Sequence, residues 1–328
     1  MPATDMRGLG WLLAAIATAA LLWTLSDVVM LVFAAILLAV LLRGAALLLA
    51  RYTRLPVGGA LAVIILLLVS VCGGFGWYFG PRFVSEGQQL LLQIQHYAGH
   101  LQEDQGFWGQ LARRAMAAKG DFAIAPLAPK VLTMTFGTGG GILLLLATTL
   151  YLAISPDLYL HGIIRLLPVP RRRRAEDIAF QLCQTLRYWM LGQLVDMGVV
   201  GVLSMTGLAL LGIPLPLALG VLAGLLTFVP YVGAILAGIP AVILASTIGK
   251  LAVLWVVLLY TGCHLVEGYL VAPLVSRRTV ALPPAVTILA MAVLGELFGF
   301  MGLLLATPLA AAVILLVREI YVRDYLEG

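Results

Sequence analysis

Seven apolar runs, near residues 9–25, 28–50, 57–80, 137–155, 191–213, 251–271 and 299–317, have the length a helix needs to cross a lipid bilayer. A hydrocarbon core about 30 Å thick takes about 20 helical residues. In that solvent the backbone N–H and C=O groups must be satisfied inside the protein, which a helix does with its own bonds. Composition agrees, because 62% of the chain is hydrophobic and 11% charged, against about 25% charged in soluble domains. The fold class is therefore all-α and polytopic.

Several functions are excluded at this level. Cys72, Cys183 and Cys263 are scattered, with no metal-ligand or redox spacing. The run GTGGG at Gly137 to Gly141 lacks the Lys-Ser/Thr that completes a phosphate-binding loop. No nucleotide-hydrolysing motif is present, so transport has to be driven by a gradient unless a separate subunit supplies energy. No nucleophile stands beside a base, which argues against an enzyme, and no cofactor or metal site is expected. The first run, which follows Arg7, resembles a signal peptide but continues directly into Ser26, Asp27 and a second run. It reads as a retained helix.

Charge sets an expected orientation. The loop after the second run carries Arg43, Arg51 and Arg54, whereas Ser26 and Asp27 between the first two runs have no basic neighbour. The positive-inside rule then puts the N-terminus and that loop in the cytoplasm. Arg165, the run Arg171 to Arg174, Arg277, Arg278, Arg318 and Arg323 join them, so both termini are expected inside and Pro81 to Lys130 outside. The arginine run reads as a topology determinant touching anionic lipid, not as a nucleic-acid site. The resulting organisation has N-terminal membrane helices at 1–80, an external amphipathic insert at 81–135 and a further membrane helix at 136–160. A cytoplasmic arginine-rich loop with an amphipathic helix follows at 161–190, and a C-terminal membrane core at 191–328. His96 and His100 lie one turn apart on the insert, where a wetted helix face is expected.

Two stretches do not read as simple spans. PLALGVLAGLLTFVPYVGAILAGIP (Pro216 to Pro240) and PAVTILAMAVLGELFGFMGLLLATP (Pro284 to Pro308) have equal length and one plan, two apolar halves around a break, with a proline at each end. Backbone that leaves the helix at membrane depth is tolerated only under cover of protein or beside a water-filled cavity. Paired interrupted segments of this kind point to a transporter's binding site. Pro230, Gly233 and Pro240 therefore predict a re-entrant turn that offers backbone to something polar. With one re-entrant hairpin and one short broken span, about eight transmembrane helices are expected.

Ionisable side chains at membrane depth cost about 2.5–3.5 kcal/mol each on insertion scales and are functional candidates. Gln193 and Asp196 are three apart, hence on one helix face. His264 and Glu267 repeat the spacing, and Glu296 stands at the second break. The sequence contains no adjacent buried Asp pair.

The segments GQ at Gly192, GIP at Gly212, FVPYVGAILAGIPA, VEGYLVAPLVSRRTVALPPAV and LFGFMGLLLATPLAA together resemble the autoinducer-2 exporter family of bacterial permeases. The resemblance covers most of the chain and is densest from about residue 187 onward. It marks Gln193, Pro230, Tyr231, Gly233, Glu267, Pro273, Pro283 and Gly302 as signature positions. It implies a bacterial inner-membrane permease, a homo-oligomer of pentameric type, and a substrate that is either the furanone autoinducer-2 or a monovalent cation exchanged for protons. Three readings follow: an exporter of a small polar solute, a sodium or lithium/proton antiporter, and a membrane scaffold that transports nothing.

Overall fold

The computed structural model describes residues 25–103, 140–271 and 282–326, and all its regular structure is helical. The first predicted span, the insert beyond Glu103, Gly137 to Gly139, Pro273 and the pair Arg277 and Arg278 lie outside the described residues. The helices are α1 (Ser26–Thr53), α2 (Val57–Glu103), α3 (Gly140–Ile154), α4 (Pro156–Arg165), α5 (Val169–Leu210), α6 (Pro216–Leu226), α7 (Val232–Ile248), α8 (Lys250–Val266) and α9 (Pro284–Leu316). Two π-helical stretches, Glu267–Val271 and Val317–Leu326, extend α8 and α9.

Among the described residues five helices are long and apolar enough to cross a membrane, or six if α3 and α4, bent by 83°, form one span. The chain is thus an all-α, multi-pass membrane protein. The described residues leave out the first of the eight expected spans, and the two expected in 282–317 form one element broken at Gly299. The stretch 215–247, expected as a hairpin, divides into α6 and α7, each shorter than a span.

From Pro81 to Glu103 the chain continues α2, which runs 47 residues with Pro81 inside it. Proline removes one backbone donor and crowds the preceding turn, yet here the helix goes on. Arg82 and Glu86 pair across the next turn at 3.6 Å.

The chain forms two compact units. The first comprises residues 1–43, 133–178 and 282–328, and the second 44–132 and 179–281. In the first, Arg43 donates to the carbonyls of Ala153 (3.0 Å) and Ile154 (3.3 Å) at the end of α3. A helix leaves its last carbonyls without partners, so this side chain closes α3 where Pro156 starts α4 on a new axis. Arg172 does the same for α4 through the carbonyls of Arg165 and Leu167, both at 3.1 Å. Arg174 reaches Glu319 at 2.8 Å and Asp324 at 3.0 Å, and Arg323 joins Glu319 at 3.1 Å. Part of the arginine run therefore binds protein, because Glu319 is buried and a buried carboxylate must be paired.

In the second unit Val200 and Leu208 of α5 pack with Leu219, Ala223, Ala241, Leu244 and Val256 of α6, α7 and α8. α5 and α6 approach closely enough that a Cβ on Gly224 would meet the Met197 carbonyl oxygen at 2.7 Å, the small-residue packing common between membrane helices. Arg187 donates to the Gly44 carbonyl at 3.1 Å near the middle of α5. Beyond the C-terminal end of α5, Glu86 accepts from the Ala218 N–H at 3.0 Å. The residue before α6, Leu215, has φ 61° and offers no capping side chain, so Glu86 supplies the acceptor from a distant helix. Removing a helix N-cap costs about 1 kcal/mol, which in a unit of this size lowers the thermal midpoint by about 2–4 °C. Glu86→Ala is expected to show that drop in detergent solution, and Glu86→Gln, which keeps a carbonyl acceptor, less than half of it. Equal midpoints for wild type and Glu86→Ala would contradict the cap.

Candidate solute and proton site

The break between α6 and α7 is built by Thr227 to Tyr231. Thr227 ends α6 and turns its hydroxyl back to the Ala223 carbonyl at 2.7 Å. Pro230 then brings a residue without an N–H, and Tyr231 takes φ 62°, ψ −53°. The Val232 N–H donates to the Pro230 carbonyl at 2.7 Å, so Tyr231 is the centre of a γ-turn of the rare positive-φ kind. Gly233 follows because nothing larger fits: a Cβ there would collide with the Leu226 carbonyl.

α5 holds this turn in place. Gln193 Nε2 donates to the Thr227 carbonyl at 2.9 Å, and Trp189 meets Phe228 edge-to-face at 5.8 Å between ring centroids. A cleft of about 370 Å³ lies against the turn, lined by Thr227, Val229, Pro230, Tyr231 and the start of α7 on one side and by His264, Glu267 and Gly268 on the other. Its walls are mainly apolar, with a few polar groups converging, the usual make-up of a small-molecule site.

His264 Nδ1 lies 2.8 Å from Glu267 Oε2. Glu267 opens the π-helical turn Glu267–Val271, and such turns inside α-helices are frequent at functional sites. Asp196, one turn along α5 from Gln193, brings its carboxyl near enough to that of Glu267 for the two to interact electrostatically. Its Oδ1 is buried and has no donor among the described residues. Two carboxyl groups come together when a proton or a cation stands between them, since like charges close to one another repel. The His264 imidazole is the neighbour of the pair.

Of the candidates from the sequence, the second unit gathers Gln193, Asp196, Pro230, Tyr231, Gly233, His264 and Glu267. Glu296 belongs to the first unit, exposed on α9 and three residues before Gly299. Thr227 was not among the candidates, although its carbonyl anchors Gln193 and its side of the turn lines the cleft. The Asp196–Glu267 pair joins residues far apart in the chain, so spacing showed only its two halves.

The family model described as AI-2E family transporter matches residues 12–321. Curated relatives are assigned by name as transport proteins. YrrI of Bacillus subtilis (strain 168) is 30% identical over 161 residues, 49% of this chain and 46% of the relative. YueF of the same organism is 28% identical over 186 residues, 56% of this chain and 50% of the relative. The protein sll0060 of Synechocystis sp. (strain ATCC 27184 / PCC 6803 / Kazusa) is 21% identical over 284 residues, 80% of this chain and 79% of the relative. The chain spans about half the length of the first two. With a match over nearly its whole length, the chain belongs to the AI-2E transporter family.

Proposed function

We propose that this protein is a gradient-driven exporter of a small polar solute such as the furanone autoinducer-2, coupled to protons at the Asp196–Glu267 pair and with no enzymatic role. The observation that carries the reading is that pair, set beside a cleft whose opposite wall is the Thr227 to Tyr231 turn. α6 has 11 residues, about 17 Å at 1.5 Å per residue, well short of the roughly 30 Å core. The hairpin it makes with α7 is accordingly re-entrant. It starts at the Glu86 end of α5 and turns near Gln193, about 9 Å along the helix from Arg187. We place the protein in the bacterial inner membrane with both termini cytoplasmic, as a homo-oligomer of pentameric type.

A second reading, sodium or lithium/proton exchange, is favoured by Asp196 Oδ1, because an unbonded carboxylate oxygen inside the protein suits a cation as well as a proton. Purified protein in liposomes separates the two. Uptake of labelled furanone driven by an imposed proton gradient supports the exporter. Cation flux against protons, indifferent to furanone, supports the antiporter. If neither moves, the protein is a scaffold and both transport readings fail.

A further inference from the structure

α4 carries its charges in one line. Asp157, His161 and Arg165 stand four residues apart, so they share one face of the helix, while Tyr159, Ile163 and Leu166 are apolar and exposed. α3 before it is apolar and open to its surroundings along Leu143, Leu146 and Tyr151, and α4 leaves it at 83°. When one helix enters the bilayer, a second set nearly at right angles to it runs along the membrane surface. An amphipathic helix lies there with its apolar side chains among the acyl chains. A deeper position is disfavoured by the three ionisable groups, each costly in hydrocarbon.

The charged line opens on a cavity of about 600 Å³ in the elbow, walled by Ser155, Asp157, His161 and Arg165 with Ile154 and Leu158 beside them. All of these belong to the first unit. The volume suits a small polar group, and the charge on the walls has both signs. Asp157 is held loosely, 3.8 Å from Arg43 and with its side chain 76% exposed, while Arg43 directs its other terminal nitrogen to the Ala153 and Ile154 carbonyls. Arg165 anchors Arg172 through its carbonyl at 3.1 Å, and its guanidinium forms no ion pair among the described residues. His161 Nδ1 donates to the Asp157 carbonyl at 2.7 Å. A carbonyl only accepts, so that proton sits on Nδ1 and Nε2 stays open to a second partner. A purely anionic headgroup would meet a like charge at Asp157. One that joins a phosphate to a primary ammonium meets both signs, its phosphate on the forked donors of Arg165 and its ammonium on the Asp157 carboxylate. Its acyl chains then continue along Tyr159, Ile163 and Leu166.

We propose that the elbow between α3 and α4 binds a zwitterionic phospholipid of the phosphoethanolamine class, with Arg165 holding the phosphate and Asp157 the ammonium. The purified protein in detergent micelles is mixed with phosphatidylethanolamine that carries a photoactivatable acyl chain, irradiated and digested. Label should concentrate on the peptide that contains Tyr159 to Leu166. Unlabelled phosphatidylethanolamine should compete for it about fivefold better than phosphatidylglycerol, which has the phosphate and no ammonium; about fivefold is the upper end for one exposed ion pair. Asp157→Asn should erase that preference, and Arg165→Gln should lower the label by about the same factor. Arg165→Gln removes only an exposed side chain, and a thermal midpoint equal to that of wild type will show that it is folded. If Asp157→Asn loosens the elbow by losing Arg43, the wild-type competition and Arg165→Gln decide alone. Phosphatidylglycerol competing as well as phosphatidylethanolamine in the wild type overturns the proposal in favour of a general anionic-lipid surface. Undiminished label in Arg165→Gln overturns it as ordinary contact with bulk lipid. A folded Asp157→Asn that keeps the preference overturns the role of Asp157. Soluble glycerophosphoethanolamine competing as well as the lipid overturns the lipid in favour of a free headgroup.

Discussion

Glu267→Gln is expected to abolish the pH dependence of transport while the protein still inserts and folds. Glu267 is the hub of the site, bonded to His264 at 2.8 Å and close to Asp196. Glutamine keeps the size and one carbonyl acceptor but cannot take up or release the proton that the proposed coupling assigns to the carboxyl pair. Flux measured between about pH 5.5 and 8.5 should fall at least 10-fold at its optimum and become flat, since hydrogen bonds to charged groups contribute about 1.5–3 kcal/mol each. Glu267→Asp keeps the charge and should retain a pH profile at a lower rate, because a side chain shorter by one methylene cannot hold both His264 and Asp196. A Gln variant with wild-type flux and profile would make the carboxylate structural. One that fails to assemble would make it a packing residue and move the search to Asp196 and Glu296.

Gly233→Ala should remove transport about 100-fold without preventing insertion. Its Cβ has no room beside the Leu226 carbonyl, and the Thr227 N is only 3.0 Å from it, so the α6–α7 turn must open and carry the Thr227 carbonyl away from Gln193. Gly238→Ala is the control on the same helix, with nothing within 4 Å of the added carbon. Alanine there favours the helix by up to about 1 kcal/mol, and flux should be unchanged. Equal flux in the two variants would reduce the tight turn to a packing feature. Pro230→Leu separates shape from crowding, for it restores a backbone N–H without narrowing the turn, and a smaller loss is expected.

Much of the membrane architecture was legible because lipid restricts what a long apolar run can become. The break at Pro230 and Gly233 was legible for the same reason, as residues costly in a helix carry information where they stand. The continuation of α2 through Pro81 was not, because proline signals a probable end and only the surrounding contacts decide. Glu86 as the cap of α6 and Asp196 as the partner of Glu267 were invisible to spacing, since each pair meets only after the chain has folded.

Tyr231 carries a consequence of its own. A non-glycine residue held in a sparsely populated backbone region stores about 1–3 kcal/mol of strain, and the corresponding position of the second segment avoids that burden by being Gly299. Relaxing the strain would take only a glycine, so the first hairpin is less stable than its own backbone permits. Its ring, 52% exposed beside the cleft, is what that sacrifice retains. A chain under such tension has a lower barrier to leaving its folded turn, and the α6–α7 turn should be readily moved.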